Sequence, residues 1–109
     1  MNASKVKRTE RESKIEAYFV EQVEKHGGLC EKFTNPGKRF VPDRIVTWPG
    51  FSPIIYSTAR IHFVELKTIG GKLTPGQARD HARRRQLGCD VAVLWTKAQV
   101  DVYIRTCKT

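Results

Sequence analysis

The sequence predicts one α/β domain whose elements follow the order αβββαβ. One segment carries apolar residues at helical spacing, a second opens with a full set of helix-start residues, and short apolar runs between turn residues have the length of strands. The chain has 109 residues, which suffices for one hydrophobic core and leaves no room for a second catalytic domain.

The first helix is predicted from about Thr9–His26, behind a basic tail at residues 1–11. Its centre carries one apolar residue per turn, namely Ile15, Phe19 and Val23. Gly27-Gly28 supplies the stop signal. The single folded domain is therefore expected to span residues 12–109.

Strands are predicted at four places, with a further edge strand near the end of the chain. They are Leu29–Thr34, Phe40–Trp48, Ala59–Lys67, Asp90–Trp95 and the edge strand Val100–Ile104. Asn35–Arg39 is predicted as a turn. The third run is apolar on both faces, which is typical of a central strand that is covered on both sides.

The second helix has a strong start signal. Thr74 stands at the N-cap position, Pro75 at the first helical position, and Gln77 where it completes a capping box. Gly88 ends the helix.

Two acids lie on neighbouring strand-like runs. Side chains two residues apart share one face of a strand, so Glu65 and Lys67 point the same way. Asp43, which follows Pro42, lies on the preceding run and falls beside Glu65 if the two strands are neighbours. Two carboxylates at such a short distance repel each other unless a cation compensates their charge. Mg²⁺ prefers oxygen ligands and keeps waters that a phosphate can displace.

Each of these signals also has a plainer interpretation. An exposed Glu-x-Lys pair is usually a solvated ion pair that contributes little, and Asp after Pro is most often turn chemistry. Their joint presence in a basic chain favours metal-assisted cleavage of a phosphodiester.

The charge balance suggests a polyanionic partner. Lys and Arg number 20 against 11 Asp and Glu, so the net charge is +9, and nucleic acid is the leading candidate. The cysteines and histidines lack zinc-site spacing and are interpreted as structural or incidental. No membrane span or signal peptide is predicted, so we expect a soluble intracellular protein.

With these residues in place, the chain resembles the PD-(D/E)xK nucleases, and more closely the virus-type replication-repair nuclease (VRR-NUC) domains. The resemblance extends from about Glu12 to Trp95. It is carried by Ile15-Glu16, Gly27-Gly28, Lys32-Phe33, Val41-Pro42-Asp43-Arg44-Ile45-Val46, Pro49-Gly50, Phe63-Val64-Glu65-Leu66-Lys67, Gly71-Lys72-Leu73-Thr74-Pro75 and Gln77. It implies a mixed central sheet flanked by helices, phage or prophage origin, and action in the cytoplasm of a bacterial host.

The resemblance also implies the working parts of the site. Asp43 and Glu65 would bind Mg²⁺ or Mn²⁺, with the Leu66 carbonyl as a further ligand. Lys67 would position the attacking water or stabilise charge in the transition state.

Two more residues match the family pattern near the metal. Glu16 corresponds to an additional acid on the first helix, and Glu12, one turn earlier, competes for that role; a solvated helix face is the alternative for both. Gln77 lies near the active site in the family, although its capping box alone accounts for it.

Phosphate contacts are expected from basic residues at three places. They are Lys32, which the resemblance directs towards the site, Lys38 and Arg39 before the Asp43 strand, and Arg83, Arg84 and Arg85 on the second helix. Gln77, His81 and Arg84 share a helical face that would look across the site towards DNA, with a solubilising surface as the alternative. Binding should be salt-sensitive and mostly independent of sequence.

An apolar connection departs from the family pattern, in which short forms pass almost directly from Pro49-Gly50 into the next strand. Residues 51–58 intervene here and would pack against a partner subunit or onto the core. Two-fold symmetry would suit a two-fold substrate, so we expect a homodimer that nicks branched DNA in the manner of a Holliday-junction resolvase. The alternatives are a flap or single-strand nuclease, a restriction-type nuclease and a non-catalytic DNA-binding module.

Overall fold

The computed structural model describes residues 3–50 and 60–107, with side chains described from Lys14 onward. Over these residues the elements are α1 (Ala3–Lys25), β1 (Leu29–Lys32), β2 (Arg44–Trp48), β3 (Arg60–Leu66), α2 (Pro75–Gln86), β4 (Asp90–Leu94) and α3 (Lys97–Cys107). The predicted order αβββαβ is confirmed, and a helix follows it. The connection at residues 51–58 lies outside the described residues. No helix in the described part of the chain has the length and apolar character needed to cross a membrane.

The strands form one mixed sheet in the order β1-β2-β3-β4. The first two pairings are antiparallel, and β3 and β4 are parallel. A parallel pair needs a crossover connection, which α2 supplies. The ladder continues one residue past β3, because the Lys67 N–H donates to the Leu94 carbonyl at 2.9 Å. Glu65 therefore lies on a central strand with a partner on each side.

The hydrophobic core lies between the sheet and the helices α1 and α3. Alternate residues of β2 and β3 are buried on this face, and they are Val46, Trp48, Val64 and Leu66. Phe19 and Val23 of α1 are fully buried against them, which confirms the predicted apolar stripe. Tyr103 of α3 joins the layers, since its hydroxyl accepts a hydrogen bond from Trp48 Nε1 at 3.1 Å.

Helix α2 covers the opposite face of the sheet. The Arg84 guanidinium carbon lies 4.6 Å from the centre of the Phe63 ring of β3. The predicted capping box is present: Thr74 Oγ1 accepts from the Gln77 N–H at 3.1 Å, and Gln77 Oε1 accepts from the Thr74 N–H at 3.0 Å. Gly88 follows the helix at φ +93°, a conformation that favours glycine.

Two predicted boundaries are wrong. Helix α1 begins at Ala3, so most of the predicted basic tail is helical. Strand β2 begins at Arg44, not at Phe40. Pro42 has no N–H to give to the ladder, and Phe40 turns its ring onto Gly76 of α2.

The edge strand predicted at Val100–Ile104 is also wrong, because these residues belong to α3. Val100, Ile104 and Cys107 are buried at helical spacing, whereas Val102 is 52% exposed. The helix opens with a second capping box, in which Thr96 Oγ1 accepts from the Gln99 N–H at 3.1 Å and Gln99 Oε1 accepts from the Thr96 N–H at 3.3 Å.

Candidate active site

Strands β2 and β3 bring two acids together on the face that carries α2. Ile45 pairs with Phe63. When the same antiparallel register is continued by two residues, Asp43 lies opposite Glu65. Opposite residues of such a pair share one face of the sheet. Asp43 and Glu65 are therefore neighbours, as the strand pattern of the sequence predicts.

Asp43 is held by hydrogen bonds to both adjoining segments. Its Oδ2 accepts from the Leu66 N–H at 2.8 Å. Its backbone carbonyl accepts from the Phe33 N–H at 2.9 Å, just beyond β1. These bonds fix the half-buried carboxylate at the end of β2 although Asp43 itself lies outside the strand.

Glu65 is 2% exposed and lies against His81 of α2. The distance from Glu65 Oε1 to His81 Nε2 is 3.6 Å, and His81 is fully buried. Burial, and next the charge of Arg85, lowers the pKa of His81, so the ring is neutral at pH 7. The sequence predicts a helical face that looks across the site towards DNA; the His81 side chain on that face is fully buried and points at Glu65.

Lys67 follows Glu65 on the same side of the sheet, as the strand period predicts. Its charge is the last of the causes that lower the pKa of His81, after burial, Arg85 and Arg84. The side chain is half-buried. Asp43, Glu65 and Lys67 thus come from adjoining ends of β2 and β3.

The donor set suits a hard cation. Across the side chains that the structure describes, no group of three or more His, Cys, Asp or Glu is placed to hold a metal ion. An Asp–Glu pair nevertheless fits Mg²⁺ or Mn²⁺, since Mg²⁺ is typically bound by one or two carboxylates and completes its shell with waters and substrate phosphate. Zinc, which favours nitrogen and sulfur ligands, is poorly matched.

Glu16 is engaged in an ion pair. Its Oε1 accepts from Arg44 Nε at 3.0 Å and from Nη2 at 2.6 Å. Arg44 follows Asp43 and alternates to the other face of the sheet, so Glu16 approaches from the α1 side. The structure does not gather Glu16 with the two acids. The side chain of the competing residue, Glu12, lies outside those described.

The predicted DNA-binding residues fall into two groups. Arg84 is engaged within the fold, where its Nε donates to the buried Asp80 Oδ2 at 2.8 Å. Arg85 Nη2 donates to the Val91 carbonyl at 3.0 Å while remaining exposed. The other group is exposed and comprises Lys32, Lys38, Arg39 and Arg83.

Lys32 does not have the expected direction. It pairs with Arg44 in the β1–β2 register, so it shares the face of Arg44 and not that of Asp43. Lys38 lies at the α2 face, where its Nζ is 3.5 Å from Asp80 Oδ1. The sequence does not predict the partners of Asp80 and His81. Only the docking of α2 brings Asp80 to the loop before β2, and His81 to Glu65.

Two known proteins are similar to this chain. A protein of Acyrthosiphon pisum secondary endosymbiont phage 1 named "Putative nuclease p44" is 46% identical over 84 residues, which cover 77% of this chain and 82% of that protein. A solved structure named "VRR_NUC domain" is 33% identical and has a TM-score of 0.72, covering 87% of this chain and 95% of its own. No protein-family model matches the sequence.

Proposed function

This chain belongs to the VRR-NUC family, and we propose that it is a metal-dependent nuclease that hydrolyses phosphodiester bonds in DNA, with Asp43 and Glu65 as metal ligands. The observation that carries the proposal is the β2–β3 register, which, continued by one residue beyond the pair Arg44–Val64, puts Asp43 opposite Glu65. The Leu66 N–H, which donates to Asp43 Oδ2, supports the same placement. The net charge of +9 supports a polyanionic substrate.

The contacts of each residue support a particular role for it in the proposed cleavage. Mg²⁺ or Mn²⁺ held here would lower the pKa of a bound water and neutralise charge on the scissile phosphate. Asp43 would hold the metal through its carboxylate, which the Leu66 N–H orients by donating to Oδ2. The Leu66 carbonyl is proposed as a further ligand. The buried His81 limits the movement of Glu65.

Three other residues have supporting roles in this proposal. Lys67 orients the attacking water or stabilises the charge that develops on the phosphate. Glu16 acts through Arg44, the residue after Asp43, whose side chain it holds on the opposite face of the sheet. Gln77 caps α2 and so positions the helix that carries His81.

The proposed substrate is branched DNA, cut by a homodimer. A domain of this size has little surface for reading bases in the major groove, so recognition of DNA shape is favoured over recognition of sequence. Two subunits related by a two-fold axis would present two sites to a four-way junction.

Cleavage assays test the proposal directly. Labelled four-way junction, flap, single-stranded and linear duplex DNA are incubated with Mg²⁺, Mn²⁺ or chelator. We expect paired nicks in the junction that require a metal. Asp43→Asn and Glu65→Gln should abolish cleavage and retain binding, and Glu31→Gln, a change at an exposed glutamate of β1, should behave as wild type.

The other outcomes separate the alternatives. Normal cleavage by Asp43→Asn would remove the metal-site assignment. Metal-dependent cleavage confined to flaps or single strands would retain the mechanism and discard the junction model. Binding without cleavage under every metal would favour a non-catalytic DNA-binding module.

A further inference from the structure

A cationic groove with an exposed aromatic ring lies between α2 and the loop before β2. Its volume is about 230 Å³, and its lining residues are Lys38, Phe40, Gly76, Arg79, Asp80 and Arg83. Phe40 and Arg79 have no role in the proposed cleavage site.

The Phe40 ring has one face on the helix backbone. A Cβ atom built on Gly76 would lie 2.7 Å from three atoms of this ring, Cγ, Cδ2 and Cε2. Three equal distances mean that the ring lies flat on the glycine, which a larger residue would push away. Phe40 is nonetheless 41% exposed and lines the groove.

The walls of the groove are positively charged. Lys38, Arg79 and Arg83 are exposed cations. The acid in the groove, Asp80, accepts hydrogen bonds from Arg84 at 2.8 and 3.4 Å and lies 3.5 Å from Lys38 Nζ. A planar apolar ring between cations provides a stacking surface for a base and counter-charges for its phosphate.

The groove adjoins the acid pair through consecutive residues. Asp80 lines the groove, and His81 is 3.6 Å from Glu65. Phe40 precedes Asp43 by three residues, which limits the separation of their Cα atoms to about 11 Å. A DNA strand that enters the groove would thus reach the proposed metal ligands within a few nucleotides.

We propose that this groove binds one unpaired nucleotide of the DNA substrate, with its base stacked on Phe40 and its phosphate between Lys38, Arg79 and Arg83. The proposal rests on the proposed nuclease function and adds that the branched DNA presents an unpaired base near the cut, which in a four-way junction is a base opened at the crossover. A paired base cannot stack there, because its faces are covered by its neighbours in the duplex.

The test measures binding without cleavage. Three labelled DNAs are titrated by anisotropy in EDTA: a flap with 2-aminopurine at the branch, the same flap with an abasic residue, and a fully paired duplex. The variants are Phe40→Leu, which keeps apolar bulk, and Phe40→Tyr, which keeps the ring. Leu87→Ala, an exposed apolar residue just past the far end of α2, is the control.

Wild type should prefer the base-containing flap, and its binding should change the 2-aminopurine fluorescence. Phe40→Leu should lose about five- to a hundredfold in affinity for that flap, the scale of one stacked base, with the duplex unaffected. Phe40→Tyr and Leu87→Ala should retain the preference.

Equal binding of the base-containing and abasic flaps by wild type would overturn the proposal, whether or not Phe40→Leu folds. Equal losses on flap and duplex would also overturn it. The cleavage assay is separate, so its result is distinguishable: a flap preference that depends on Phe40 without cleavage under any metal contradicts the nuclease function alone. Cleavage with no effect of Phe40 contradicts the groove alone.

Discussion

Arg83 and Arg84 are neighbours on α2 that the fold places in different settings. Arg83 is exposed at the groove. Arg84 donates hydrogen bonds to the buried Asp80 and lies over the rings of Phe33 and Phe63. A charge free to meet a phosphate contributes to salt-dependent binding, and a charge already paired contributes to folding. We therefore expect the dense basic run in the sequence to serve two functions.

We predict that Arg83→Ala and Arg84→Ala separate these functions. Arg83→Ala should weaken DNA binding and reduce the slope of log K against log salt by about one, without changing stability. Arg84→Ala should cost about 2 kcal/mol of unfolding free energy, because it removes a charged hydrogen-bond partner of Asp80. Salt titrations and urea unfolding measure both. Equal effects of the two changes would contradict the distinction.

Lys67 is predicted to act on the reaction and not on binding. Lys67→Ala should lower the cleavage rate by at least about two orders of magnitude, the scale of one electrostatic catalytic group. DNA affinity in chelator should change little. Lys72→Ala, which removes an exposed lysine in the following loop, is the matched control. A rate loss that is equal in the two variants would mean that only overall charge matters.

His62 predicts how stability depends on pH. Burial lowers its pKa, with a partial offset from Asp90, and its Nδ1 lies 2.8 Å from the Tyr103 hydroxyl. The unfolded chain thus takes up a proton near pH 6.5, where the folded protein does not. Stability should be full above that pH and fall as the pH drops below it.

Urea unfolding at pH 7.5 and pH 5.5 tests this sign. We expect a lower midpoint at pH 5.5 in wild type and a smaller difference in His62→Gln, which cannot titrate. A difference between the two midpoints that is as large in His62→Gln as in wild type would contradict the contribution of His62.

Helix α2 depends on its capping box for a defined start. Thr74→Ala removes the acceptor of the Gln77 N–H and should cost about 1 kcal/mol of unfolding free energy. Gln77→Glu keeps an oxygen for the Thr74 N–H and should cost much less. Thr34→Ala, in the exposed loop after β1, is the control.

The same variants decide whether Gln77 has a second role. If the residue only caps the helix, Gln77→Glu retains both stability and cleavage. A stable Gln77→Glu protein with impaired cleavage would place the amide group in the reaction. Chemical denaturation and the cleavage assay together distinguish these results.

The elements show how far the sequence determines the fold. Period-two spacing on two apolar runs located Asp43, Glu65 and Lys67, because strand geometry is local. Helix α3 was missed because Val100, Val102 and Ile104 alternate as a strand would. The Thr96-x-x-Gln99 capping box carried the opposite signal, and it repeats the pattern recognised at Thr74.

The sequence does not predict which side chains of different elements are in contact. The spacing of Gln77, His81 and Arg84 gives one helical face but not what that face covers. Only the crossover from β3 to β4 puts it on the sheet, so that His81 meets Glu65 and Arg84 meets Phe63. The Phe40 groove likewise exists only because Gly76 lets the loop approach the helix.

At the scale of the whole molecule, charge has opposite effects on the two proposed associations. Each chain carries +9, so two copies repel each other while both attract DNA. Salt screens charges over about 8 Å at 0.15 M. Added salt should therefore strengthen a homodimer and weaken its complex with DNA.

Light scattering at micromolar concentration, in 0.15 M and 0.5 M salt, tests this prediction. We expect twice the 12.5 kDa chain mass, with more dimer at the higher salt. If residues 51–58 form the contact, changing Phe51, Ile54 and Ile55 to Ser should give a monomer that binds junction DNA but no longer makes paired nicks. Ile69→Ser, at a described residue that is 76% exposed, should remain dimeric. A wild-type protein that stays monomeric in both salts would contradict the dimer, since screening removes the repulsion that opposes it.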